Sequence, residues 1–301
     1  MFKYNVEQKT YKVGKYSIGG DPRSTPTAMV GTIFYFKQKH IFKDEQHGII
    51  DKNYAEKLIK DQEELADKTG LIPCLDLVLS YESCIKPIID FVIDITDVPI
   101  FIDPAHYWLK LPTLDYVQQV GIPDRVIYNS LLPTSTEEEY QHLSESKIKN
   151  FVFLAIETHQ WTTQARMEVI ESFLKRADAA NLAGNNFLID GCVMELTTLG
   201  LAMSVMEEIK NKYGFPVGTA GQNAVDTWRN LKAKFGDIKS YASVVASTIT
   251  LAAGVDFLLY GPIQNADVIF PTAAFVKAAH SQLLFDETRM APPDHPVFKI
   301  G

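Results

Sequence analysis

Eight polar side chains in this sequence share a setting. Each lies in or at the end of a short run rich in β-branched and aromatic residues: Asp76 in 73–79, Asp103 in 99–104, Asn129 in 125–130, Glu157 in 150–157, Asp190 in 186–193, Gln222 and Asn223 in 216–223, and Tyr260 in 256–263. Together they supply four carboxylates and three amides, groups that accept hydrogen bonds and, for the acids, exchange protons. No Lys or Arg stands at the end of any run; Arg125 opens its run and so belongs to the opposite end. A Schiff-base mechanism, which needs a lysine in such a place, is disfavoured. A sugar-phosphate site would want cations beside the glycine turns at 218–221 and 261–262, where only Arg229 is near in sequence. Acceptors without cations suit a ligand rich in N–H donors.

For these residues to meet, the runs must be adjacent strands of one sheet. With a first run at 27–35 there are eight, most of them apolar until their last residues, as strands buried on both faces of a parallel sheet require. Between them the apolar spacing predicts helices over 54–68, 83–95, 114–120, 136–144, 167–181, 196–213, 224–235, 240–253 and 273–285. The first stops at Gly70, and Ser135 with Glu138 is placed to form a capping box for the fourth. This alternation over 301 residues predicts an α/β fold, a single (β/α)8 TIM barrel occupying 1–301 as one domain. Residues 1–20 read as an N-terminal β-hairpin around Gly14 that plugs the N-terminal mouth, and 291–301, with three prolines, as an extended tail. The barrel then places any site at the C-terminal strand ends, where the eight polar residues fall. Neither G-x-G-x-x-G after a strand nor G-x-x-x-x-G-K-[ST] occurs, which disfavours nicotinamide or ATP binding of those kinds.

Composition narrows the partners. The formal charge of −8 gives a surface that repels phosphate backbones and anionic lipid, so neither nucleic acid nor membrane is expected. The one basic cluster, Lys37, Lys39, His40 and Lys43, runs directly into Asp44 and Glu45. Cys74, Cys84 and Cys192 are too few and scattered for a disulfide framework or a thiolate metal site, and they suit a cytoplasmic setting. No apolar core of a signal peptide is seen in the first twenty residues, and the most apolar stretch, 244–259, reads as a buried helix followed by a buried strand. His106 and His159 follow strand ends and would be metal ligands only together with Asp103 and Glu157; no metal is expected.

A reduced pterin is a donor-rich ligand of the kind the acid ring requires. Its 2-amino-4-oxo edge presents an exocyclic amine beside a ring N–H, and one aspartate accepts both bonds. Leu75-Asp76-Leu77, Ile102-Asp103, Tyr128-Asn129-Ser130, Ile189-Asp190 and Leu259-Tyr260-Gly261-Pro262-Ile263, with the opening Met1-Phe2-Lys3-Tyr4, Gly31-Thr32-Ile33-Phe34-Tyr35 and Asp61-Gln62-Glu63-Glu64-Leu65, resemble the H-subunit family of tetrahydromethanopterin S-methyltransferase. More remotely the chain is similar to methyltetrahydrofolate corrinoid methyltransferases and dihydropteroate synthase.

The resemblance implies methyl transfer between a corrinoid (methylcobalamin) carried by a partner protein and N5 of a tetrahydropterin, here read as tetrahydrofolate. Carried over by position, Asp103, Asn129 and Asp190 match the pterin-binding positions and Asp76 the strand-two acid; Glu157, for proton handling or ring contact, Gln222 and Tyr260 are assigned to the same pterin site, with Asp103 and Asn223, the latter matched to the strand-seven amide by a shift of about two residues, as the catalytic pair. It also implies a homodimer. The corrinoid belongs to another chain because the D-x-H-x-x-G loop that supplies histidine to cobalt is absent, and the loop 36–50 is the candidate surface for docking it. Three alternatives stay open: the same transfer with tetrahydromethanopterin in a larger complex, a metal-dependent lyase or hydrolase built on Asp76, Asp103, Glu157 and Asp190, and a pterin-binding subunit without chemistry of its own.

Overall fold

A computed structural model describes residues 1–38 and 40–301; Lys39 of the basic cluster and of the proposed docking loop lies outside the described residues. Eight parallel strands close into a barrel: β1 Ala28–Ile33, β2 Ile72–Leu79, β3 Ile100–Pro104, β4 Val126–Leu131, β5 Asn150–Leu154, β6 Asn186–Asp190, β7 Val217–Thr219 and β8 Phe257–Pro262. Each pairs with its chain neighbours and β8 closes on β1. All eight predicted runs are strands, but the fifth, sixth and seventh end three or four residues early. Past Leu154 the Glu157 carboxylate accepts the His159 N–H, and at the end of the sixth strand the Asp190 carboxylate accepts the Cys192 N–H, local bonds that take the place of the ladder; past Thr219 the chain turns into a short helix from Gln222.

The outer layer holds α1 Lys52–Thr69, α2 Glu82–Ile95, α3 Lys110–Gln119, α4 Glu137–Glu145, α5 Thr163–Ala179, α6 Thr198–Lys212, the short α7 Gln222–Asp226 and α8 Leu231–Phe235, then α9 Lys239–Ala252 and α10 Ala266–Ser281. The single helix predicted over 224–235 is two, broken between Thr227 and Asn230. At α4 the cap is Thr136, whose hydroxyl accepts from the Glu139 N–H; the capping box expected of Ser135 and Glu138 does not form.

Two apolar layers follow the period-two alternation of the strands. Ala28, Val30, Ile72, Cys74, Phe101, Ile127, Val152, Leu188, Phe257 and Leu259 fill the barrel interior, and the alternate residues pack against the helices. Thr10–Val13 and Tyr16–Gly19 form an antiparallel hairpin whose Val13 and Ile18 enter the interior layer, closing one end. The last residues are not an extended arm: Pro296–Ile300 forms α11, and the Asp294 carbonyl comes so close to Gly70 that a Cβ there would lie 2.6 Å from it. The apolar stretch 244–259 runs from α9 into β8, a helix followed by a strand as expected. Ile263–Glu287 is long and apolar enough by length and composition to cross a membrane, and half of its apolar window is buried within the fold.

Candidate active site

Strand alternation selects which polar residues face the open mouth. Val30, Cys74, Phe101, Ile127 and Leu188 point inward, so two residues further along their strands Thr32, Asp76, Asp103, Asn129 and Asp190 do too. Asp76 is buried; the Thr32 hydroxyl donates to its Oδ2 at 2.9 Å and the Asn129 amide Nδ2 to its Oδ1 at 3.4 Å. Burial, only partly offset by these donors, pushes the Asp76 carboxyl up to about 6. Asp103 is raised well above the usual carboxylate range, first by burial and then by the charge of Asp76, with Lys110 opposing. Asp190 is also pushed up to about 6 by burial, against the Cys192 N–H, which donates to its Oδ1 at 2.7 Å, and the charge of Arg166. Three inward-facing carboxyls with raised proton affinity in one mouth, two of them buried, can each accept N–H bonds or carry a proton.

Four other expected residues are placed differently. Tyr260 follows inward-facing Leu259 and therefore turns to the helical layer, where its hydroxyl donates to Gln62 Oε1; it does not line the mouth. Glu157 lies beyond the end of β5, and its carboxylate accepts the N–H groups of His159 and Gln160, which hold it below the usual range. Asn223 is not at a strand end but in the first turn of α7, exposed, with Nδ2 donating to the Val193 carbonyl at 2.9 Å. Gln222 is buried beside β8, where a Cβ on Gly261 would come within 2.9 Å of its Cγ; its Oε1 has no partner. Among the described residues no three His, Cys, Asp or Glu side chains converge as metal ligands, and His106 instead stacks on Trp108 at 4.5 Å.

The mouth also holds a cation that reading strand ends alone missed. Lys110, at the start of α3, is buried and donates to Glu139 Oε1 and to the Ser130 carbonyl, both at 2.9 Å. The sequence carries a signal for it: a lone lysine between Leu109 and Leu111, where a solvated charge is out of place. Arg166 is the second such residue. Fully buried on α5, it donates to the carbonyls of Gly191 and Cys192 and so fixes the loop whose N–H reaches Asp190.

Fold and site together define a (β/α)8 barrel, plugged at one end and lined at the other by buried carboxyls. A family model described as tetrahydromethanopterin S-methyltransferase MtrH subunit matches residues 6–288. The chain belongs to that family. The H-subunit of tetrahydromethanopterin S-methyltransferase from Methanothermobacter marburgensis is 33% identical to it over 310 residues, spanning 100% of each chain. The H-subunit of the putative methyltransferase mtx from Methanosarcina barkeri is 32% identical over 309 residues, covering 99% of each. Among solved structures, 7,8-dihydropteroate synthase from Vibrio fischeri superposes with a TM-score of 0.65 at 11% identity, covering 91% of this chain and 99% of that one. Dihydropteroate synthase from Yersinia pestis gives 0.61 at 11% identity, covering 92% and 99%. At such identities the likeness concerns the fold alone.

Proposed function

We propose that this chain is a methyltransferase that moves a methyl group between a corrinoid carried by a partner protein and N5 of tetrahydromethanopterin. The observation that carries the reading is the inward set Asp76, Asp103, Asn129 and Asp190, whose acceptors match the amine and N–H edge of a pterin. Family membership supports the reaction class. The names of the H-subunit relatives favour tetrahydromethanopterin over the tetrahydrofolate expected from the sequence. Those names describe subunits, which supports partner chains and lends nothing to a homodimer. A cytoplasmic setting, consistent with three free buried cysteines, belongs to the same proposal.

In this reading the chain supplies alignment and charge control. The corrinoid, as methyl donor or acceptor, supplies the labile cobalt–carbon bond. Asp190 and Asn129 hold the pyrimidine edge so that N5 lies in line with the methyl carbon. When N5 takes the methyl it gives up its proton, and in this reading Asp103, whose carboxyl stands well above the usual carboxylate range, holds it. The Asn223 amide is engaged by Val193, so its action at N5 requires that hydrogen bond to be released.

Calorimetric titration with tetrahydromethanopterin and tetrahydrofolate tests the proposal. The former is expected to bind more tightly, and Asp190→Ala to weaken it by about 2 to 3 kcal/mol through loss of charged hydrogen bonds. Equal affinity of the wild type and Asp190→Ala would remove the acid from the site.

A further inference from the structure

Arg166 stands one turn into α5 with its side chain fully buried, yet nothing in the proposed transfer uses it. Among the described residues its only side-chain hydrogen bonds run from Nη1 to the carbonyls of Gly191 and, at 2.7 Å, Cys192, and no carboxylate pairs with it. Its Nε and Nη2 are buried without a partner. Burying an unpaired guanidinium is costly, and a cation this close to a helix N-terminus also opposes the helix dipole. The turn that it holds is where its effect falls.

That turn, 191–193, follows directly on Asp190 at the end of β6. It has little freedom. A Cβ on Gly191 would lie 2.8 Å from Met206 Cγ and 2.9 Å from the Ala202 carbonyl oxygen, so the backbone is pressed against α6, and Cys192 takes a φ of +63° in the left-handed region. The Gly191 carbonyl and the Cys192 N–H belong to one planar trans peptide and point in opposite directions. Arg166 therefore fixes one side of that plane, and on the other side the N–H donates to Asp190 Oδ1 at 2.7 Å. The Val193 carbonyl accepts Asn223 Nδ2, so the same turn also carries the amide assigned to N5. Charge adds to geometry. Facing Asp190 are the Cys192 thiol on its own turn, Thr219 of β7 and Arg166 of α5, with Asp76 and Asp103 on β2 and β3 in the same mouth; Arg166 is the cation of this set, and its field favours the ionised, N–H-accepting form of Asp190.

We propose that Arg166 is a positioning residue for ring binding: by holding the Gly191 and Cys192 carbonyls it aims the Asp190 carboxylate at the pyrimidine edge of the substrate. The inference rests on the pterin reading above and deepens it, because it names a residue that acts on the ring only through another.

The test is a double-mutant cycle on the full chain, with the dissociation constant of tetrahydromethanopterin measured by calorimetry from pH 5 to 8.5. At pH 7 Arg166→Gln is expected to weaken binding about tenfold in the wild-type background and less than about twofold beside Asp190→Ala, where the carboxylate it aims is gone. The pH below which binding weakens should rise by about half to one unit in Arg166→Gln and return towards the wild-type value in Arg166→Lys, which keeps the charge. An equal loss in both backgrounds with an unmoved pH profile means that Arg166 only supports the fold; it overturns the inference and leaves the pterin reading standing. If the wild type binds no pterin, the pterin reading falls and the inference with it. Should Arg166→Gln not fold, Arg166→Lys, which keeps the charge but has no second arm for both carbonyls, runs the same cycle. Its expected loss of about threefold should vanish beside Asp190→Ala, and a loss that persists there overturns the inference.

Discussion

Asp190, proposed above to bind the pterin, weakens the fold that holds it. Its carboxyl rises from 3.8 to about 6 on folding because burial penalises the charge more than the Cys192 N–H rewards it. A group raised in this way adds to stability fully below its unfolded value, and that contribution is lost as pH climbs through about 6. Above pH 7 the ionised form therefore costs about 2 to 3 kcal/mol, since its folded and unfolded values lie roughly two pH units apart. Asp190→Asn keeps an oxygen for the Cys192 N–H but carries no charge. Urea unfolding at pH 8 should find it about 2 kcal/mol more stable than the wild type, with the gap closing towards pH 5. Pterin affinity should move oppositely, falling in the wild type as acid neutralises the acceptor and starting low in the variant. Equal stability of the two proteins at pH 8 would contradict the burial cost.

The strands that carry these acids are held by layers that can be perturbed from the far end. Ile18 of the N-terminal hairpin is fully buried and joins the interior layer at the plugged end of the barrel, away from the acid mouth. Ile18→Ala should cost about 3 kcal/mol of stability by leaving a cavity, measured by chemical unfolding, with pterin affinity changed less than about twofold where the protein remains folded. A large loss of affinity would mean that the plug shapes the mouth. The eight strands are legible in the sequence because buried parallel strands are continuous apolar runs, and Asp76, Asp103, Asn129 and Asp190 are legible because they interrupt those runs with inward parity. Tyr260 misleads because a strand-end position says nothing about facing until parity is counted from Leu259. Asn223 and Glu157 mislead because the predicted runs continue past Leu154 and Thr219, where the ladder has already ended: Glu157 turns back to accept the His159 N–H, and Asn223 lies in the first turn of a short helix. Lys110 and Glu139 are hidden for a different reason: their pairing joins the starts of α3 and α4, and no local pattern encodes that meeting.

At the scale of the whole molecule, the proposed transfer requires a corrinoid-bearing partner to reach the open mouth, and the exposed aromatics there fit that approach. Phe36, Tyr81, Tyr107, Trp108 and Trp161 follow β1, β2, β3, β3 and β5, and Trp108 and Trp161 are 65% and 48% exposed. Large aromatics at a rim contribute much to association when covered, since they bury area at low entropic cost. Neither tryptophan bonds to the acid ring: Trp108 stacks on His106 and the Trp161 indole N–H donates to the Thr158 carbonyl. Replacing both with Ala should therefore act on docking more than on the methyl transfer itself. With a methylated corrinoid protein the KM is expected to rise about tenfold or more, equivalent to at least about 1.4 kcal/mol. With free methylcobalamin, which needs no protein surface, the same double variant should lose far less, so the ratio of the two specificity constants falls. An equal loss with both donors would place the tryptophans in the transfer step, and no loss with either would move the docking surface away from this rim.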